Sequence, residues 1–307
     1  MSDAFQTLVL PYDEEAIAQA GALIRRGQVV AMPTETVYGL AADATDGEAV
    51  ARIYQAKGRP AFNPLIVHIP DLERALEIGE FDRQALALAQ AHWPGPLTLV
   101  VPLRADSNIS KLVTAGLKTI ALRVPSHPAM QDLLKAIEKP LAAPSANASG
   151  SISPTRAEHV LKSLGGRIPL IVDAGPCERG LESTIIASTG GSLRLLRRGP
   201  VQIDAEEEQG HSIEAPGQLE SHYAPSKPLR LDARQADPDE YLIGFGAIAG
   251  DANLSADGDL IAAAAQLFEL LHRADASSKP RIAIAPVPNT GLGAAINDRL
   301  VRAAAPR

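Results

Sequence analysis

Apolar positions along the chain recur at two spacings. Between Glu14 and Arg26 they fall on one helical stripe, Ile17, Ala20, Leu23 and Ile24, and the stripe stops at Gly27, a residue suited to closing a helix. Gln28 to Met32 is a short apolar run and reads as a strand. The alternation continues, with helices expected over 46–57, 83–92, 129–137 and 155–164, the last with Thr155 near its cap. Strands are expected over 65–69, 97–103, 119–124 and 170–173, and 183–187 with 192–196 read as a hairpin around Gly190-Gly191. Helices and strands in this order predict an α/β sandwich on a mixed sheet.

The pattern breaks at 206–228. This stretch mixes an acidic run with Gly, Ser and three prolines and has little apolar periodicity, so it reads as a linker. Beyond it, strands are expected over 229–231, 241–245 and 281–285, and helices over 260–272 and 292–304. The division is a large α/β domain at 1–205, a linker at 206–228 and a small second α/β domain at 229–307. No internal repeat is present.

Composition narrows the class. A 307-residue chain with 46% hydrophobic and 21% charged residues is an ordinary globular protein. One cysteine, Cys177, excludes a disulfide framework and fits a reducing compartment. Without a basic-then-apolar leader or an apolar run of about 20 residues, the expected home is the cytoplasm, with no membrane contact. Up to Ala205 the chain has 20 Lys and Arg against 21 Asp and Glu; beyond it, 9 against 15. Neither part is a basic nucleic-acid surface, so a polyanion has to be met by local clusters.

Such clusters exist. "KGRPAFNPLIVHI", Lys57 to Ile69, places two cations in a chain-breaking loop before a buried strand that ends at His68. Arg123 and Arg197 stand at two further strand ends, where a charge needs a partner or a ligand. "PTETVYGLAADA", Pro33 to Ala44, puts Thr34, Thr36 and Tyr38 at alternate positions, which by itself fits the polar face of an extended segment. "APSANASGSISPT", Ala143 to Thr155, is a small-residue loop that fits either a phosphate cradle or a turn-rich connector. No H-E-x-x-H, C-x-x-C, Walker or G-x-S-x-G pattern occurs, which counts against zinc and against Ser145 as a nucleophile. Loop and strand-end cations with a ring of hydroxyls make an inventory for positioning phosphates and a carboxylate, without a covalent step.

Five ordered segments, "PTETVYGLAADA", "KGRP..NPLIVHI", "WPGPLTLV", "APSAN.SG..SPT" and "STII", closely resemble the YrdC/Sua5 family. "APGQLESHYAP" and "GLGAAINDRL" resemble its long, two-domain form. The resemblance implies a YrdC-like twisted mixed-sheet domain plus a smaller Rossmann-like α/β C-terminal domain. It also implies a nucleotidyltransferase that makes threonylcarbamoyl-AMP and pyrophosphate from L-threonine, bicarbonate and ATP, for threonylcarbamoyladenosine in tRNA. By motif position, Lys57 and Arg59 would be catalytic, and Arg59, Asn63, Thr119, Ser145, Ser153, Arg197 and Tyr223 would bind ATP. Thr36, His68, Arg123, the backbone at Ala143, and Ser183 would hold threonine, with Arg123 bidentate on its carboxylate. Mg²⁺ would arrive with ATP, with no protein metal ligand and no permanently bound cofactor. The implied partners are a downstream threonylcarbamoyl-transferase complex and tRNA. With Tyr223 assigned to the nucleotide, the 206–228 linker is expected to fold back over the pocket as a lid; its sequence departs from the family's usual Ser-Pro-Gly-Met and following basic residue at Gln218-Leu219-Glu220. Two other classes compete: a non-catalytic double-stranded RNA or tRNA-binding module, and a carbamoyltransferase-type subunit.

Overall fold

The computed structural model describes residues 5–60, 62–207, 214–218 and 221–306. Its first body contains strands β1 (Leu8–Pro11), β2 (Val30–Met32), β3 (Gly39–Asp43), β4 (Ile66–His68), β5 (Leu97–Pro102), β6 (Thr119–Arg123), β7 (Leu141–Ala142), β8 (Leu170–Asp173), β9 (Thr184–Ala187), β10 (Arg194–Arg197) and β11 (Glu206–Glu207). Helices α1 (Glu14–Arg25), α2 (Gly47–Lys57), α3 (Leu72–Leu76), α4 (Arg83–His92), α5 (Lys111–Thr114), α6 (Pro128–Ile137) and α7 (Ala157–Leu164) are interspersed. The strands form one mixed sheet in the order β1-β8-β2-β3-β7-β4-β6-β5-β9-β10-β11. A second, parallel sheet follows, ordered β12 (Leu229–Arg230), β15 (Arg281–Ile284), β13 (Glu240–Gly244), β14 (Ala252–Asn253), packed by α8 (Leu260–Ala276) and α9 (Leu292–Ala304).

Local chemistry sets the helix starts. Asp13, Asp46, Asp71, Asp82 and Asp259 each accept a backbone N–H at the head of α1, α2, α3, α4 and α8. Apolar faces then cover both sides of the sheet. Ile17, Ala20 and Ile24 of α1 pack with Met130 and Leu133 of α6 on one side. Val50 and Ile53 of α2 join Leu40, Val67 and Leu122 on the other.

Most of the expected elements are present, and the differences have physical causes. β1, β3, β7, β11, β14, α3 and α5 lie outside the expected elements; each is short, or buried without alternation, so periodicity is silent there. The 155–164 helix begins at Ala157, with Arg156 at its cap position. Lys57 is the last residue of α2, where the 46–57 helix was expected to end, and not part of the loop that follows, because Gly58, at φ 59°, closes the helix before Pro60 can. Nor are Lys57 and Arg59 surface cations: they are 3% and 8% exposed.

Described parts of the 206–228 stretch pack against both bodies. β11 pairs in parallel with β10, Ala215 is buried against Ile66 and Ile185, and Tyr223 is buried with Phe268 and Leu271 of the second body. Leu219 and Glu220, where the sequence departs from its family, lie outside the described residues. Among the described residues no helix is long and apolar enough to cross a membrane.

Candidate functional site

The segment after β2 folds into a tight turn because Thr34 Oγ1 accepts the N–H of Thr36 (3.1 Å) and of Val37 (3.2 Å). The turn aims Glu35 and Thr36 at the C-terminal end of β6. There the Arg123 guanidinium donates to Glu35 Oε1 (2.6 Å), Thr36 Oγ1 (2.9 Å) and the Gly95 carbonyl (3.3 Å). Burial alone would raise the Glu35 pKa, but the charge and hydrogen bond of Arg123 outweigh it and hold Glu35 below the usual carboxylate value. The pair fixes Arg123 in one orientation.

His68 lies opposite Arg123 in the β4–β6 register. It is 2% exposed, and neither ring nitrogen has a hydrogen-bond partner among the described residues. Burial, then the nearby Arg123 charge, pushes its pKa well below 6.5, so the ring is neutral at pH 7. A neutral imidazole with two unused nitrogens beside a fixed guanidinium is a site for a small ligand with both donors and acceptors.

The opposite wall comes from β9 and β10. Ser183 Oγ shares a 2.7 Å hydrogen bond with Thr98 and accepts Arg197 Nη2 at 3.0 Å; Arg197 Nε holds the Ser183 carbonyl at 3.0 Å. Arg59 completes the cationic side, its Nε on the Asn63 carbonyl (3.2 Å) and Nη2 on the Pro64 carbonyl (2.9 Å). Burial brings the Arg59 pKa down to about 10, which leaves it charged at neutral pH.

These groups line one cavity of about 40 Å³. Thr36, Arg59, His68, Arg123, Ser183 and Arg197 are brought together there, with Ala143, Ser145 and Tyr223 also on the wall. Four expected residues are not on it. Ser153 is one bond behind, its Oγ donating to Glu182 Oε1 at 2.5 Å. Asn63 is 1% exposed, and both atoms of its amide lack partners among the described residues. Lys57 Nζ donates to the carbonyls of Ser145 (2.6 Å) and Asn147 (2.5 Å), clamping the 145–147 loop; burial, then Arg59, pushes its pKa well down. Thr119 begins β6, about 13 Å along the strand from Arg123 at the usual rise per residue.

Sequence reasoning missed Glu182 and His222, which line the cavity, and Glu35, which pairs with Arg123. Glu35 and Glu182 stand inside or beside the quoted motifs, but carboxylates near an anion site look misplaced until their arginine partners are known. Among the described residues no group of three or more His, Cys, Asp or Glu could hold a metal ion.

Two family models match the chain: "Telomere recombination" (Sua5_yciO_yrdC) over residues 22–199, and "Threonylcarbamoyl-AMP synthase, C-terminal domain" over residues 181–305. A threonylcarbamoyl-AMP synthase of Bacillus subtilis is 39% identical, with 97% of this chain and 95% of that protein aligned. One of Pyrococcus abyssi is 38% identical over 95% of this chain and 94% of its own length. The crystal structure of P. abyssi Sua5 complexed with L-threonine superposes with a TM-score of 0.88 at 35% identity, covering 97% of each chain. Both models match in chain order and the relatives align over nearly their full lengths, so this chain belongs to the Sua5/YciO/YrdC family, in the long form that carries the Sua5 C-terminal domain.

Proposed function

We propose that the protein is an L-threonylcarbamoyl-AMP synthase, a nucleotidyltransferase that joins L-threonine, bicarbonate and ATP and releases pyrophosphate. The observation that carries this reading is the pairing, within one cavity, of a fixed guanidinium beside an unpartnered neutral His68 with a second wall bearing Arg59 and Arg197. A zwitterionic amino acid suits the first, its carboxylate on Arg123 and its hydroxyl near Thr36, His68 and Ser183. A triphosphate suits the second.

In this mechanism the threonine amine and bicarbonate combine to a carbamate with loss of water. A carbamate oxygen then attacks the α-phosphorus of ATP in line with departing pyrophosphate. The chain forms no covalent bond; it holds three reactants together, a contribution of up to roughly 7–11 kcal/mol for ideal orientation. Arg59 and Arg197 face charge developing on the phosphates. Mg²⁺ would arrive as part of the ATP substrate.

A cavity of about 40 Å³ holds water but not a nucleotide, whose pockets run to roughly 300–1,000 Å³. His222, Tyr223 and Pro216 line it, and we read them as its cover. In this reading Pro216, His222 and Tyr223 lift to admit ATP and settle again to keep water from the carbamate. The labile product would pass to an enzyme that transfers the threonylcarbamoyl group to tRNA.

The test is pyrophosphate release by the full chain with threonine, bicarbonate or ATP omitted in turn. Release that requires all three is expected. Salt-dependent RNA binding without release would favour a non-catalytic RNA module instead.

A further inference from the structure

Arg299 is the largest completely buried side chain among the described residues, and it belongs to α9 of the second body. Its Nε donates to Glu182 Oε2 at 2.9 Å, Nη1 to Asp298 Oδ2 at 2.6 Å and Nη2 to the Arg198 carbonyl at 2.8 Å. Its guanidinium carbon lies 5.3 Å from the centre of the Tyr223 ring. A helix from the C-terminal sheet thus reaches back to residues at the catalytic cavity.

Glu182 is the group that matters. It is 5% exposed, lines the cavity and immediately precedes Ser183. Its two oxygens are divided: one takes the Arg299 Nε–H, the other the Ser153 hydroxyl. An ionised carboxylate on the wall of a site for a triphosphate would repel its ligand strongly, since charges interact at short range with little screening in a water-poor cavity. The structure places a fully buried cation directly behind it.

We propose that Arg299 is a positioning residue of the nucleotide site: it cancels the charge of Glu182 and keeps that carboxylate as a fixed acceptor for Ser153. Glu182 then adds no net negative charge to the wall that bears Arg59 and Arg197, and the C-terminal body becomes part of the machinery that admits ATP. This inference rests on the reading of the cavity as an ATP site. It separates Arg299 from a simple rivet between the two bodies, because a rivet would not care about the charge on the ligand.

That difference sets the experiment. Binding of AMP, ADP, ATP and L-threonine is measured by calorimetry on the full chain as wild type, Arg299→Met, Arg299→Lys, Glu182→Gln and the double variant Glu182→Gln/Arg299→Met. Exposing the Glu182 charge in Arg299→Met should weaken ATP about tenfold or more, weaken AMP least, and leave threonine within about twofold. The double variant should recover most of the ATP affinity, and Arg299→Lys should retain it. Glu182→Gln, which removes a negative charge from the wall and leaves Arg299 paired with Asp298 alone, should bind ATP at least as tightly as wild type. That last variant carries the test if Arg299→Met fails to fold. Equal losses across the three nucleotides, no recovery in the double variant, or weaker ATP binding by Glu182→Gln would overturn the role. Wild type that neither binds ATP nor releases pyrophosphate would instead sink the synthase reading itself.

Discussion

Tyr223→Phe should make the protein more stable and its ATP binding weaker. The residue is 1% exposed, and its hydroxyl has no hydrogen-bond partner among the described residues. The ring is held by contacts that phenylalanine keeps: Phe268 at 5.6 Å between centroids, His222 at 4.1 Å edge-on, and the Arg299 guanidinium at 5.3 Å. A buried unpaired hydroxyl costs about 1–3 kcal/mol, and the substitution removes that cost without opening a cavity. For a chain of this size the gain corresponds to a rise in Tm of a few degrees. If the same hydroxyl finds its partner on the nucleotide, its loss removes a hydrogen bond of about 0.5–1.5 kcal/mol, roughly two- to tenfold in Kd. The two effects have opposite signs, which a packing defect cannot imitate. Calorimetric melting without nucleotide and isothermal titration with ATP read them separately. A variant that melts lower than wild type, or binds ATP equally well, refutes the reasoning.

Lys57→Ala should abolish most pyrophosphate release and also lower stability, because the carbonyls of Ser145 and Asn147 lose their donor at about 1–3 kcal/mol each; normal turnover would remove Lys57 from the site. Threonine should be preferred over valine by about 5- to 150-fold in kcat/KM, the equivalent of one buried polar group left unpaired, and equal rates would mean that Thr36, His68 and Ser183 face elsewhere. Acid should loosen the contact between the two bodies. His159 of α7 and His272 of α8 stack at 3.8 Å, and burial lowers their pKa values to about 4 and about 3. Both are depressed bases, so their neutral pairing contributes fully above pH 6.5 and is lost as pH falls toward 4 and then 3. The urea midpoint should therefore drop between pH 6.5 and 5, and His272→Gln should flatten that slope; an unchanged slope would place the acid sensitivity elsewhere.

The sequence by itself determined the local elements and the chemical inventory. Helix starts at Asp46, Asp82 and Asp259 and stops at residues such as Gly58 are decided within a few residues, by caps and by backbone conformations open to glycine. Long amphipathic stripes carry their own signal, and so do five motifs in fixed order. What lay outside reach was everything that depends on who faces whom. Two-residue β7 and fully buried β3 have no alternation to read, because burial on both faces erases it. A carboxylate such as Glu35 or Glu182 reveals its role only when the fold sets an arginine 88 or 117 residues away against it. Composition alone makes 206–228 a flexible connector, because its apolar side chains are few and scattered; the expectation that it covers the pocket came from the family resemblance at Tyr223. Tertiary structure gave Tyr223 a buried place between two bodies, since burial depends on the surfaces that meet a residue and not on its neighbours in sequence.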